Sequence, residues 1–458
     1  MKNRNWYVVI SIVLIFTLAS LFTGCKEKLT ATPAPTEKPE QLDLGGKEIV
    51  FAGLEGVYIP VDKESEEYEK AMNWKEEVET LFNCKIKVDV HAPWDVFFQK
   101  IQDMTMAGEV IGDIISFDNW IYPKVMLTGL LKPLQDIMNV KDYELWEQEI
   151  EQYFSYKGNI YGVSNKTVSL PAAFMIVNKT LFEEKGLDTK YDLKKLVTDR
   201  QWTWEKFREI LIASTFENQG GNTKIWGLGG QGLQFGRLSN YFVRANGGAY
   251  TKKVGDLVEF TANTPEFIEA VEYLSQLVWQ DKVISNEDRW RGYESFQTFS
   301  SGGSMFFAAT NWWISTLKVM VPDGITMSVL PIPIGPKAKG EYVNFSDSAR
   351  IYGIPSTSTK SIEAAAVFEY WMKNAPKSDK TVRDGWSEMV FDVDSLDVIE
   401  MLSKIPRKIE FATSGYTNLQ NFWTGEHGIG DQVPIATFIE EWKDPIETEI
   451  AQMWSMND

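Results

Sequence analysis

Two histidines, His91 and His427, and two cysteines, Cys25 and Cys84, are the whole imidazole and thiol supply of this 458-residue chain. A zinc-type cluster of His and Cys ligands has almost no raw material here. A nucleophile–histidine–acid triad would have to use one of the two histidines, and neither stands in a recognisable motif. Asp392-Val393-Asp394-Ser395-Leu396-Asp397 begins like a calcium loop. It lacks the acid or amide two places after Asp394 and the turn glycine after that, so a helix cap or solvated loop is the better reading. Carboxylate pairs could be drawn at will from 64 acidic residues, and no motif singles one out. The inventory points to binding, with no catalytic residue, no metal and no cofactor expected.

The elements that must position a binding site read as alternating strands and helices. Glu48–Ala52 is a short apolar strand, and residues 66–83 place Ala71, Trp74, Val78, Leu81 and Phe82 on one helical face. Ile86, Val88 and Val90 alternate as a second strand, Phe97, Ile101 and Met104 stripe a second helix, and Asp113–Phe117 is a buried strand. Such a succession predicts a parallel α/β sheet with helices on both faces. Ligands on these sheets collect beyond the carboxyl ends of strands, which makes Glu55 and the run Asp118, Asn119 and Trp120 the first candidates. Further on, Thr203 caps a helix through Trp204, Phe207, Ile210 and Leu211. Thr264-Pro265 opens another, with Phe267, Ala270, Val271, Leu274, Leu277 and Val278 inward. Ile351–Pro355 is a strand before an alanine-rich helix from Ile362 to Trp371, and the Gly- and Pro-rich stretches 220–236 and 331–340 read as loops.

Lys2 and Arg4, an apolar run from Trp6 to Phe22, and Thr23-Gly24-Cys25 resemble a bacterial lipoprotein signal peptide, cut before a cysteine that takes a diacylglyceryl group. Phe22 stands where such signals usually carry Leu; an uncleaved single-span anchor is the alternative. Both place the bulk of the chain outside the cytoplasm, on the outer face of the cytoplasmic membrane, as in a Gram-positive bacterium. Residues 25–45 form the lipidated cysteine and a Pro-, Thr- and Ala-rich leash, too poor in large apolar groups to build a core. About 410 residues remain, too many for one hydrophobic core, so two lobes are expected. The net charge of −18 becomes −20 once residues 1–24, with Lys2 and Arg4, are gone. A surface that acidic repels phosphate backbones and excludes nucleic acid as a partner. With Cys25 lipidated, Cys84 has no disulfide partner and reads as a small buried hydrophobe.

From about Lys47 onward the chain carries Gly112-Asp-Ile-Ile-Ser-Phe117, Gly129-Leu-Leu-Lys-Pro-Leu134, the hairpin Tyr156–Val163, Met175-Ile-Val-Asn-Lys179 and Trp202-Thr-Trp-Glu-Lys-Phe207. Asn246-Gly-Gly248, Gly303-Ser-Met305 leading to Asn311-Trp312-Trp313, Val329-Leu-Pro331 and Tyr352-Gly-Ile-Pro355 follow. In number, order and spacing this set resembles the sugar-type (family 1) extracellular solute-binding proteins of bacterial ABC importers, the family that includes the maltose-binding protein. The resemblance implies a two-lobed α/β fold, each lobe a mostly parallel sheet flanked by helices, with the ligand cleft at the hinge. Mapped here, the first lobe takes residues 46–168 and 312–355, and the second 169–311 and 356–458. It also implies a monomer that closes on its ligand and then meets the permease subunits of the transporter, with a population shift as the signal.

The 17 Trp, 17 Tyr and 26 Phe fit a carbohydrate, an oligosaccharide in particular: C–H faces stack on rings while hydroxyl rims need Asp, Asn and Arg. Tyr241 and Trp312 match positions where the family places stacking aromatics. Asn311, Asp347 and Arg350 border segments near the hinge, and Trp423 lies where the family often adds another aromatic wall. Core packing competes for every ring, and Tyr161, Trp202 and Trp204 are assigned to it. Two other readings stay open: a receptor for peptides or other polar solutes on the same fold, and a secreted polysaccharide-active enzyme.

Overall fold

The computed structural model describes residues 42–455 apart from 55, 92–93, 167–172, 218–222, 231–236, 285–291, 347–348, 377–380, 388, 410–414 and 425–431. Cys25 and the leash up to residue 41 lie outside the described residues. The described chain opens with β1 (Lys47–Gly53), α1 (Glu66–Phe82), β2 (Cys84–Val90), α2 (Trp94–Met106) and β3 (Ile114–Asp118). Helix α1 starts where Ser65 accepts a hydrogen bond from the Tyr68 N–H, and it buries Trp74, Val78 and Phe82 at helical spacing. Cys84 is buried, and its thiol is pushed up to about 11 foremost by that burial, so it stays protonated and unreactive. Val90, expected to face inward, is 47% exposed, because only the first half of β2 lies over the core.

The chain then leaves this sheet through a hairpin in which Ser155–Tyr156 pairs with Asn159–Ile160. Lys157 and Gly158 make its turn at φ 48 and 76, the left-handed pair that a two-residue hairpin requires. There follow β4 (Ala173–Asn178), α3 (Lys179–Glu184), α4 (Leu193–Thr198), α5 (Trp204–Ala213), β5 (Phe216–Glu217), β6 (Thr223–Gly230), α6 (Arg237–Ala245) and α7 (Pro265–Trp279). Next come β7 (Ser304–Thr310), α8 (Trp312–Met320) and β8 (Met327–Leu330). The chain returns for β9 (Arg350–Gly353) and α9 (Ser361–Asn374), then ends on α10 (Val393–Ser403), α11 (Thr417–Thr424) and α12 (Ile435–Ser455). The expected cap residues are in place at Thr203 and Asp392, whose side chains accept from the Lys206 and Ser395 N–H groups.

The first sheet runs β9-β3-β1-β2, with β1, β2 and β3 parallel and β9 antiparallel at the edge. The second runs β8-β4-β7-β6-β5 and is mixed rather than mostly parallel: β4 is antiparallel to both β7 and β8, and β5 to β6. Strand β4 slots between β7 and β8, which the crossover through α8 leaves apart. All six of its residues are buried, so no inside–outside alternation betrays its direction. Strand β6 falls within the stretch expected as a loop. Its glycines mark close approach: a Cβ on Gly227 would lie 2.6 Å from the Leu211 carbonyl oxygen, and one on Gly229 2.7 Å from Ser304 Oγ.

The two sheets also redraw the expected division of the chain. Strand β8, placed by the sequence reading with the first lobe, hydrogen-bonds to β4 in the second sheet. Helix α9, placed with the second, packs on β1, β3 and α1, where Phe368 and Trp371 each set their rings edge-on to Phe51 at 5.6 Å. The first sheet has one apolar cluster around Ile49, Phe51, Trp74 and Phe368, while a larger one runs from its other face through the second sheet. No helix among the described residues is long and apolar enough to cross a membrane.

Candidate functional site

The carboxyl ends of β1, β2 and β3 meet at one edge of the first sheet. There the Gly53 carbonyl accepts from the His91 N–H at 2.8 Å, joining the exits of β1 and β2. Asp118 is the last residue of β3, and antiparallel pairing sets it opposite Arg350, the first residue of β9. Opposite charges at paired positions attract, and Arg350 Nη1 stands 3.6 Å from Asp118 Oδ1. Both side chains stay partly open, at 34% and 24% exposure, and Arg350 Nη1 is buried with no hydrogen-bond acceptor among the described residues. A strand end thus presents a partly exposed cation and carboxylate side by side. Behind them, the Tyr352 phenol is pushed up to about 12 by burial and remains neutral at physiological pH.

Asn119 has a supporting role instead of the expected ligand contact. It is fully buried; its Oδ1 accepts from the Ala349 N–H at 2.7 Å, and its own N–H donates to the Ala349 carbonyl at 3.0 Å. These two bonds clamp the segment leading into Arg350 against the end of β3. His91 is occupied as well: Lys100 Nζ lies 2.6 Å from Nδ1, and burial first, then the Lys100 charge, lower the imidazole pKa. A neutral, buried ring held by a lysine is a packing group.

On the second sheet, β7 ends at Thr310 opposite Ala173, and partly exposed Asn311 follows at the start of α8. Trp312 opens that helix, with its ring outside the described residues. Trp313 is 8% exposed and packs 4.4 Å from the Phe296 ring, so of the two adjacent tryptophans this one belongs to the core. Tyr241 is returned to the core too. It is 1% exposed on α6 with its ring 5.6 Å from Phe345, because Leu238, Tyr241, Phe242 and Ala245 repeat at the spacing of an inward face. Trp202 and Trp204 are buried as expected, the former donating from Nε1 to the Pro331 carbonyl at 2.8 Å. Glu55 and Asp347 lie outside the described residues, as do the side chains of Trp120 and Trp423.

Two charge pairs had escaped the sequence reading. Asp113, 1% exposed, accepts from the Val50 N–H at 2.9 Å and from Ser358 Oγ at 3.1 Å and pairs with Lys360 at 3.0 Å, binding the start of β3 to β1 and to the segment before α9. Arg407 and Glu147 form a largely buried pair at 2.5 Å across 260 residues of sequence. Neither has a local signal, since the partners are brought together only by the tertiary fold. Among the described residues no group of three His, Cys, Asp or Glu could hold a metal ion. The arrangement offers donors, acceptors and charge to a polar solute.

The model of a family described as bacterial extracellular solute-binding protein matches residues 66–385. This chain belongs to that family. The match takes in Asp118, Asn119, Asn311 and Arg350, so the charged strand end belongs to the body of the solute-binding domain. Solved structures agree in fold. The galacto-N-biose/lacto-N-biose I-binding protein of Bifidobacterium longum, in complex with lacto-N-biose, superposes with a TM-score of 0.63 at 13% identity, over 90% of this chain and 98% of that one. UspC of M. tuberculosis gives 0.62 at 16%, over 88% and 100%. The ABC substrate-binding protein Lmo0181 of Listeria monocytogenes, in complex with cycloalternan, gives 0.57 at 17%, over 89% and 99%. At such identities the likeness fixes the two-lobed α/β architecture of the solute-binding proteins. No curated protein matches the sequence.

Proposed function

We propose that this solute-binding protein is the carbohydrate receptor of an ABC importer, tethered to the outer face of the membrane through a lipidated Cys25. It captures an oligosaccharide by lobe closure and hands it to permease subunits. The observation that carries the carbohydrate reading is the partly exposed Asp118–Arg350 pair at the strand end, where a carboxylate acceptor and a guanidinium donor stand together. A saccharide hydroxyl both donates and accepts, and a pair of this kind answers both demands. Complexes of similar folds with lacto-N-biose and cycloalternan support the same class of solute. Trp312 and Asn311, at the end of β7, and Trp120, beside Asp118, would supply the second wall and the stacking faces. Glu55, Asp347 and Trp423 complete the proposed lining.

The test is a panel of oligosaccharides titrated calorimetrically into the protein from residue 46 onward, with small-angle scattering on any complex. A binding sugar should raise the melting temperature, compact the particle and be recovered intact. Steady conversion of the sugar would overturn the receptor reading, and binding of peptides with no sugar bound would overturn the ligand class. For the anchor, wild type expressed in its bacterium should incorporate labelled fatty acid and Cys25→Ser should not. Equal labelling would refute it.

A further inference from the structure

One apolar concavity on the second-sheet side lies not at the carboxyl ends of β7 and β8 but at the opposite edge, where β4 runs out into α3. A cavity of about 340 Å³ opens there between α3, α4, β8 and α10. Its floor is built by Phe182, Tyr191, Val197 and Val398, all less than a tenth exposed, on the backs of Val177 and Val329. That volume falls at the lower end of the range for small-molecule sites, which are mostly apolar with a few placed polar groups.

The mouth decides which molecule fits. Lys194 crosses it from α4 to reach Asp394 at 2.6 Å and Asp397 at 3.4 Å on α10, and Lys179 stands 3.5 Å from Asp392 and 3.9 Å from Asp394. Arg383 also pairs with Asp397, at 2.9 Å. The cations at the rim are therefore engaged by the acids of α10. The Asp192 carboxylate is used as the cap of α4, accepting from the Lys195 N–H. Glu183 and Asp188 also line the opening; both are exposed, and neither makes an ion pair among the described residues. An apolar floor beneath two carboxylates without counter-ions repels anions and leaves the hydroxyls of a sugar that face the floor unpaired. It suits a molecule with an apolar body and a positive head.

We propose that this cavity is a second ligand site, separate from the solute site, for an amphipathic organic cation of the size of an aromatic amine. The ring sits over Phe182 and Val398, and the ammonium faces Glu183 and Asp188. The probe is phenethylamine, with phenylacetate as a partner of the same body and opposite charge, each titrated into the protein from residue 46 onward and followed through valine methyl resonances. Phenethylamine should saturate and shift the methyls of Val197 and Val398, and phenylacetate should bind at least tenfold more weakly. Glu183→Gln with Asp188→Asn changes two exposed side chains and should lower the amine's affinity about tenfold without altering the ligand-free denaturant melt. Val398→Phe, which fills the floor, should abolish binding. Absence of saturation by the amine, equal affinity for amine and acid, or unchanged affinity in the double variant would overturn the proposal, and none of these results bears on the strand-end site.

Discussion

Replacing Arg350 by Gln removes the charge at the strand end while keeping an amide donor, and the structure separates its effects on folding and on binding. The pair with Asp118 is long at 3.6 Å, and its side chains are 34% and 24% exposed. Water and salt screen such a pair, so its loss should change ligand-free stability by about 0–1 kcal/mol. Binding should respond differently, because the partly exposed Arg350 guanidinium can donate to a ligand hydroxyl. A hydrogen bond to a charged group is worth about 1.5–3 kcal/mol, which converts to about a 10- to 150-fold loss of affinity. Calorimetric titration with an oligosaccharide that the wild type binds, beside a urea melt without ligand, yields both quantities. Asp118→Asn in the same assays tests the acceptor. Unchanged affinity for Arg350→Gln, or a stability loss of about 3 kcal/mol or more as expected for a broken buried pair, would refute the reasoning.

Trp312→Ala should lower affinity at least tenfold, through lost stacking and buried ring area, and leave the ligand-free melt nearly unchanged; a large stability loss with intact affinity would place the ring in the core. Asp113→Ala removes the acceptor of the Val50 N–H and of Ser358 Oγ and one partner of the partly exposed Lys360, so it should cost about 1–3 kcal/mol in a denaturant melt. A cost below about 1 kcal/mol would show that the carboxylate is dispensable. His91 titrates below its ordinary 6.5, held down by burial and by Lys100, with Asp89 at 3.8 Å opposing. The unfolded chain therefore takes up the proton first as pH falls, and stability should drop from about pH 6.5 downward. In His91→Gln that acid limb should flatten, and an unaltered limb would exclude His91 as its source.

Much of the local structure could be read without coordinates because its causes lie within a few residues of each other. The inward face of α7 (Phe267, Ala270, Val271, Leu274, Leu277 and Val278) is written in its 3.6-residue spacing, and the caps at Thr203 and Asp392 in side chains that reach only to the next turn. The scarcity of His and Cys and the acidic charge likewise narrowed function from composition alone. Strand direction was different. In β4 every residue is buried, and a continuous apolar run packs equally well whichever way it points, so only its pairing with β7 and β8 decided the mixed sheet. The glycines of β6 looked like a loop because their purpose, room for Leu211 and Ser304, depends on neighbours contributed by other elements. The same holds at the site. A strand end nominated Asp118 and Asn119, and the family resemblance Arg350 and Tyr241. The fold set Asp118 against Arg350 in the open, used Asn119 to clamp Ala349 across 230 residues, and turned Tyr241 into the core. Composition and periodicity act over a turn or a strand. Which polar side chain is left facing solvent follows from contacts between segments hundreds of residues apart, and those exist only once the chain has folded.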